Sequence, residues 1–253
     1  MAARVALADR RPGGDREMSH RSDVTTSSAD VERRISRRAA LRSAAGAAII
    51  GAAVGSSSRA VESASDGPSD ADAGFCTDMA THHIQALAMC QRVLGRDVGE
   101  PGVAAATEVL QNQSIEVGMM RAWLTDWGRS TARPETVMGW MGANGGAGVP
   151  LEQMQGYASD AAMRTLSNGD GLEQGRMWLE LIREHHVGGV AMATAALPLV
   201  AADKVKRLAE TQIMVQTFEV EQYDQLIAGE YAIEGWIEPE SFTQSVVWYC
   251  DLS

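Results

Sequence analysis

Beyond residue 72, apolar residues recur at intervals of three and four through most of the chain, and no stretch shows the strict alternation of a half-buried strand. Four long helices are expected. The first runs from about Ala73 to Leu94 and is stopped by Gly95; the second begins near Pro101, a residue suited to a first helical turn, and ends at Trp127 before Gly128. A glycine-rich crossover follows, "GRSTARPETVMGWMGANGGAGVP", carrying Met138, Trp140 and Met141. A shorter helix is expected over Leu151 to Leu166. The third long helix spans Leu172 to Ala196 with Asp170 as its cap and Pro198 just past its end; the fourth spans Ala202 to Ala228 and stops at Gly229.

The pattern repeats. "FCTDMATHHIQALAMC" in the first helix returns in the third as "WLELIREHHVGGVAMA", which offsets His82-His83 from His185-His186 by 103 residues. The same offset carries Gln113 to Gln216 and Glu116 to Glu219 in the second and fourth helices. Two independent motifs at one offset imply a duplicated αα-hairpin. Hairpin, long crossover and hairpin is the connectivity of an all-α, ferritin-like four-helix bundle, expected here over residues 73–230, with a tail (231–253) whose Trp236, Phe242, Trp248 and Tyr249 pack on it.

On the helical wheel these polar residues border apolar faces. His82 and His83 flank the stripe of Phe75, Met79, Ala86, Cys90 and Val93; His185 and His186 flank Trp178, Ile182, Gly189 and Ala193. Gln113 and Glu116 share a face with Val109, Val117 and Met120, as Gln216 and Glu219 do with Ile213, Val220 and Tyr223. An unsatisfied polar group in a core costs about 2–7 kcal/mol. Something must satisfy them. One solution is a closed network in which each glutamate receives an imidazole N–H; the other is a metal ion held by imidazole nitrogens, with Glu116 and Glu219 as co-ligands or as the groups that orient the rings. A single core histidine is ordinarily structural, but four at two-fold-related positions favour a metal.

The donor types narrow the metal. Ferritin-type di-iron sites use Glu-x-x-His, whereas Met79, Ala80, Ile182 and Arg183 stand three residues before these histidines. Structural zinc would be expected with closely spaced cysteines. Imidazole beside thioether suits copper, Cu(I) above all, and Met79 and Met89 are the candidate sulfur ligands. Most other methionines read as core filling. Metal and proton compete for imidazole, so weaker binding is expected below about pH 6.

Composition sets the surroundings. The 253 residues are 45% hydrophobic and 22% charged, enough for a sizeable core. Of the chain's 22 basic and 33 acidic residues, 11 and 6 precede residue 61, leaving 11 against 27 in the remainder. Such a surface speaks against nucleic acid and attracts cations. The basic part, residues 1–60, contains "RRISRRAALRSAAGAAIIGAAVGSSSRA", which resembles a twin-arginine export signal with Ala40 in place of the usual Phe. Its apolar stretch, Ala44 to Val54, is too short for a membrane span, which takes about 20 residues. Cleavage after Ala60 and a polar linker over residues 61–72 would release a periplasmic or extracellular protein without a span; an uncleaved anchor is the alternative. Among the cysteines, Cys76 and Cys90 sit about 21 Å apart on one helix, so any disulfide must use Cys250; three unpaired thiols are the alternative.

The sequence is similar to the domain-of-unknown-function 305 family, through "FCTDMATHHIQALAMC", "NQSIEVGMMRAWL" and "EHHVGGVAMA", over about residues 70–230. The resemblance implies a ferritin-like exported bacterial protein, in a family some of whose members bind copper. It marks His82, His83, His185 and His186, with Met79 and Met89, as functional. The sequence departs from the family where Ile182 replaces the counterpart of Met79 and where the Met-Pro-Gly-Met loop reads "VMGWMG". No nucleophile elbow or phosphate-binding loop is present. The expected role is metal sequestration or handling by ligand exchange, without catalysis; a metal-free interaction module of the cell envelope and a metal-dependent oxidase are the alternatives.

Overall fold

The structure, a computed structural model, describes residues 67–242. The export signal, its cleavage point and residues 61–66 of the linker lie outside the described residues, as do Trp248, Tyr249 and Cys250. Five helices account for most of the described residues: α1 (Asp70–Val93), α2 (Glu100–Asp126), α3 (Asp160–Asn168), α4 (Gly171–Ala196) and α5 (Asp203–Ala228). All but α3 are the long helices of the bundle.

Helix α1 starts three residues earlier than its apolar pattern implies, because a capping box sets its end. Ser69 Oγ accepts from the Asp72 backbone N–H at 3.0 Å, and Asp72 Oδ2 accepts from the Ser69 backbone N–H at 2.8 Å. The other Asp72 oxygen accepts from the backbone N–H groups of Ala201 and Ala202, at 3.1 and 2.9 Å. One buried carboxylate therefore ties the start of α1 to the turn before α5.

The core is split into two apolar clusters. The first joins Phe75, Cys76 and Met79 of α1 to Met120 and Leu124 of α2, Met192 and Ala196 of α4, and Val205 and Leu208 of α5. The second joins Met89, Cys90 and Val93 to Val109, Trp178, Ile182 and Tyr223. Residues before the histidines of α1 thus share a cluster with residues after the histidines of α4. The two histidine helices run antiparallel, as expected of halves related by a two-fold axis across the bundle, and the histidines fall in a layer between the clusters.

Because α2 ends beside the first cluster and α4 begins beside the second, the crossover must travel the length of the bundle. It is not helical from Leu151, as the sequence suggested. Thr136–Val137 (β1) pairs antiparallel with Val149–Pro150 (β2), and Leu151–Gln153 forms one 3₁₀ turn. A helix could not continue past Gly156, whose φ is +74°. Helix α3 begins only at Asp160, where Ser159 Oγ caps the Ala162 N–H at 3.1 Å.

Two α1 side chains fasten the crossover on either side of the histidines. Asp78 accepts from the Met138 backbone N–H (2.7 Å) and Trp140 Nε1–H (2.8 Å). Gln85 both donates to the Ala158 carbonyl and accepts from its N–H, at 2.7 Å each. The tail also docks: the Tyr231 hydroxyl donates to the Val98 carbonyl at 2.7 Å and accepts from the Gly102 N–H at 2.8 Å, and Trp236 Nε1–H donates to Glu180 at 2.8 Å.

Candidate metal centre

All four predicted histidines are fully buried and meet in one layer. The rings of His82 and His185 stack, with centroids 3.6 Å apart and planes inclined by 15°. His83 and His186 lie outside this central pair, each 6.3 Å from its sequence neighbour's ring. The partner helices supply the acids, as the 103-residue repeat requires: His83 Nε2 is 2.7 Å from Glu116 Oε2, and His186 Nε2 is 2.9 Å from Glu219 Oε2.

Oxygen acceptors set the tautomer of three rings. His83 donates Nε2–H to Glu116, His82 donates Nε2–H to the Gln155 carbonyl (3.3 Å), and His185 donates Nδ1–H to the Gly156 carbonyl (3.0 Å). The remaining nitrogens, His82 Nδ1, His83 Nδ1 and His185 Nε2, are buried lone pairs with no partner. A ring whose one nitrogen is held by a carboxylate or carbonyl, leaving the other bare, is in the state in which histidine ligates a metal. His186 differs, since its approach to Glu219 lacks the alignment of a hydrogen bond and leaves both nitrogens without a partner.

The donor chemistry therefore fits a metal ion, but the arrangement does not converge on one point. Two rings stacked in near-parallel planes direct their in-plane lone pairs side by side. Among the described residues, no group of three or more His, Cys, Asp or Glu side chains is placed to hold an ion. The predicted methionines are buried on opposite sides of the layer, Met79 in the first cluster and Met89 in the second. Ten residues of helix separate them by about 15 Å, so they cannot serve one ion together. Cys76 and Cys90 are free, and burial pushes both thiols up to about 12, which keeps them protonated.

Three contributors went unrecognised in the sequence. Gln212 Nε2–H donates to the Glu116 carboxylate at 2.6 Å, joining α5 to the His83 group of the other half. Its counterpart at the repeat offset is Val109, so comparing the halves by shared residues hides it. Gln155 and Gly156 act through backbone carbonyls, which leave no mark on residue type.

Burial holds the central pair neutral. The pKa values of His82 and His185 fall well below 6.5, through desolvation first and neighbouring imidazoles second. Unfolded imidazoles take up protons below about pH 6.5 where these two do not, so the stability they confer is present above that pH and lost as it falls, by up to about 1.4 kcal/mol per pH unit for each ring. Asp78 acts in the opposite sense. Desolvation raises its carboxyl from 3.8 to about 6, so between those values the folded state holds a proton that the unfolded chain lacks, offsetting one histidine. Urea midpoints measured from pH 7.5 to 4.5 should fall progressively once the pH drops below about 6.5, by about one proton's worth per unit because Asp78 offsets one ring; a flat profile would contradict burial of the neutral pair.

Comparison with known proteins gives the same grouping. The family profile described as "Domain of unknown function (DUF305)" matches residues 72–227. The chain belongs to this family. It is 34% identical to a nominally secreted DUF305 protein of Streptomyces coelicolor, over 67% of this chain and 98% of that one, with a TM-score of 0.58. A DUF305 fragment from Deinococcus radiodurans is 25% identical over 64% of this chain and 99% of its own, with a TM-score of 0.54. CopM in its Cu(I)-bound form is 19% identical over 64% of this chain and 98% of its own (TM-score 0.50), and at that distance the likeness is one of fold. Comparison with curated proteins gave no match. The DUF305 assignment and the all-α bundle both agree with the expectations from sequence.

Proposed function

We propose that this DUF305 protein is exported and binds copper, as cargo held for sequestration or handling, through the histidine layer of the bundle. The observation that carries the reading is the set of three buried imidazoles whose hydrogen-bonded tautomers leave unpartnered lone pairs. Imidazole nitrogens suit copper, and thioethers favour Cu(I). Met79 in the first cluster and Met89 in the second each offer a sulfur on one side of the layer. CopM, which shares the fold, has been solved in Cu(I)- and Cu(II)-bound forms. Export is supported by the twin-arginine-like segment and by the description of the Streptomyces relative as secreted. No described helix is long and apolar enough to cross a membrane.

The chemistry is ligand exchange: the ion leaves its carrier, imidazoles replace those ligands, and no substrate turns over. A metal-dependent oxidase of the ferritin type would need Glu-x-x-His ligand pairs, and neither histidine helix carries one. The stacked His82–His185 pair favours a second reading, a metal-free module of the cell envelope in which the layer is a buried network. Equilibrium dialysis of purified protein against Cu(I), Cu(II), Zn(II) and Fe(II) separates the two. Copper should be retained in preference to zinc and iron, and retention of none of the four would leave the network reading.

A further inference from the structure

We propose that ions reach the histidine layer through the seam between α2 and α5, where Glu219 receives them and Gln212 latches the Glu116 side shut. The inference rests on the copper-binding reading above and assigns the route by which that site is loaded.

The other helix pairs around the layer are in closer contact. Helix α1 packs along α2 and α4, and α4 along α5, while α2 and α5 form no comparably close interface. The crossover covers the layer elsewhere, with Gln155 and Gly156 hydrogen-bonded to the central histidines and their backbone pressed against Gly188 of α4. On the seam helices the two acids of the layer reach solvent. The Glu116 and Glu219 side chains are 17% and 13% exposed, against 0% for His83 and His186.

The two acids are not equivalent. Glu116 Oε2 receives both His83 (2.7 Å) and Gln212 (2.6 Å), and the Gln212 bond spans the seam from α5 to α2. The equivalent position in the first half is Val109, which has nothing to donate, and among the described residues no second side chain bonds Glu219. His186, beside Glu219, keeps both ring nitrogens without a hydrogen-bond partner. A cation drawn by the net −11 chain therefore meets a carboxylate on the Glu219 side that is free to bind it and then release it to the imidazole behind: one metal–oxygen bond breaks as one metal–nitrogen bond forms, with no change in oxidation state.

The test follows anaerobic transfer of Cu(I) from a chromogenic chelator to the full chain, by stopped-flow absorbance, in wild type, Glu219→Gln, Gln212→Val and, as a control on the outer face of α5, Glu221→Gln. Glu219→Gln should slow loading about tenfold and should weaken the slowing of loading by salt. Gln212→Val should speed loading by freeing Glu116. Loading of Glu219→Gln no slower than that of Glu221→Gln would overturn the route, as would faster release at an unchanged loading rate, which marks an inner ligand. Unchanged loading in Gln212→Val would overturn the latch. A wild type that retains copper in dialysis but shows these reverse outcomes refutes the entry path alone; a wild type that retains none refutes the copper reading and this inference together.

Discussion

Replacing His83 and His186 together by alanine is expected to weaken Cu(I) binding by at least about 100-fold, since loss of groups that merely orient ligands costs about 10–100-fold and the proposed copper site makes these rings donors themselves. The variant also takes the imidazoles from the half-buried Glu116 and Glu219, leaving Glu116 only Gln212, and the lost contacts and cavities destabilise the fold. A second variant separates the effects. His83→Gln/His186→Gln keeps an amide N–H for each glutamate, so it should retain more of the stability while losing copper to a similar extent. Competition titration against a Cu(I) chelator, with thermal unfolding measured on the same samples, reads both quantities. Affinity within threefold of wild type in a folded glutamine variant would remove these two rings from the site.

Gly188→Ala should destabilise the protein by about 3 kcal/mol, although alanine is the better helix former by about 1 kcal/mol. A methyl at this position of α4 would lie 2.1 Å from the Gln155 carbonyl oxygen and 2.6 Å from its carbon, and these are backbone atoms that no rotamer change can move aside. The crossover would have to lift, stretching the bonds that hold His82 and His185. For a domain of this size the cost corresponds to a fall in Tm of roughly 6–12 °C. Gly118→Ala in α2 is the matched control. Its methyl would meet nothing within 4 Å, so propensity alone acts and a small gain in stability is expected. Circular dichroism melts of the two variants should move in opposite directions, and a Tm for Gly188→Ala at or above wild type would mean that the crossover does not press on the histidine helix.

The crossover also marks the limit of what could be read from residue types. Helix boundaries were legible because caps and stops are local: Asp170 caps α4 and Gly229 follows α5. Ser69 and Asp72 were overlooked as a capping box because the apolar pattern begins only at Ala73. The expected helix from Leu151 failed at Gly156, whose backbone twists to pass against α4, a contact made 29 residues along the chain. Glu116 was legible through the repeat, whereas Gln212, which holds that same carboxylate, was not, because Val109 breaks the repeat at that position.

The sequence by itself determined the all-α fold, the duplicated hairpin and the placing of an imidazole doublet and a glutamate on apolar helix faces in each half, since helical periodicity and a single offset fix which faces point inward. The tertiary structure alone decided that His82 and His185 stack across the two-fold axis, that Met79 and Met89 are parted by the histidine layer, and that backbone carbonyls of the crossover select the tautomers. The physical reason is one of range. Periodicity and capping act within a few residues, whereas the approach of two helices and the path of a connecting segment depend on every side chain between them, and a backbone carbonyl carries no signature of the residue that bears it.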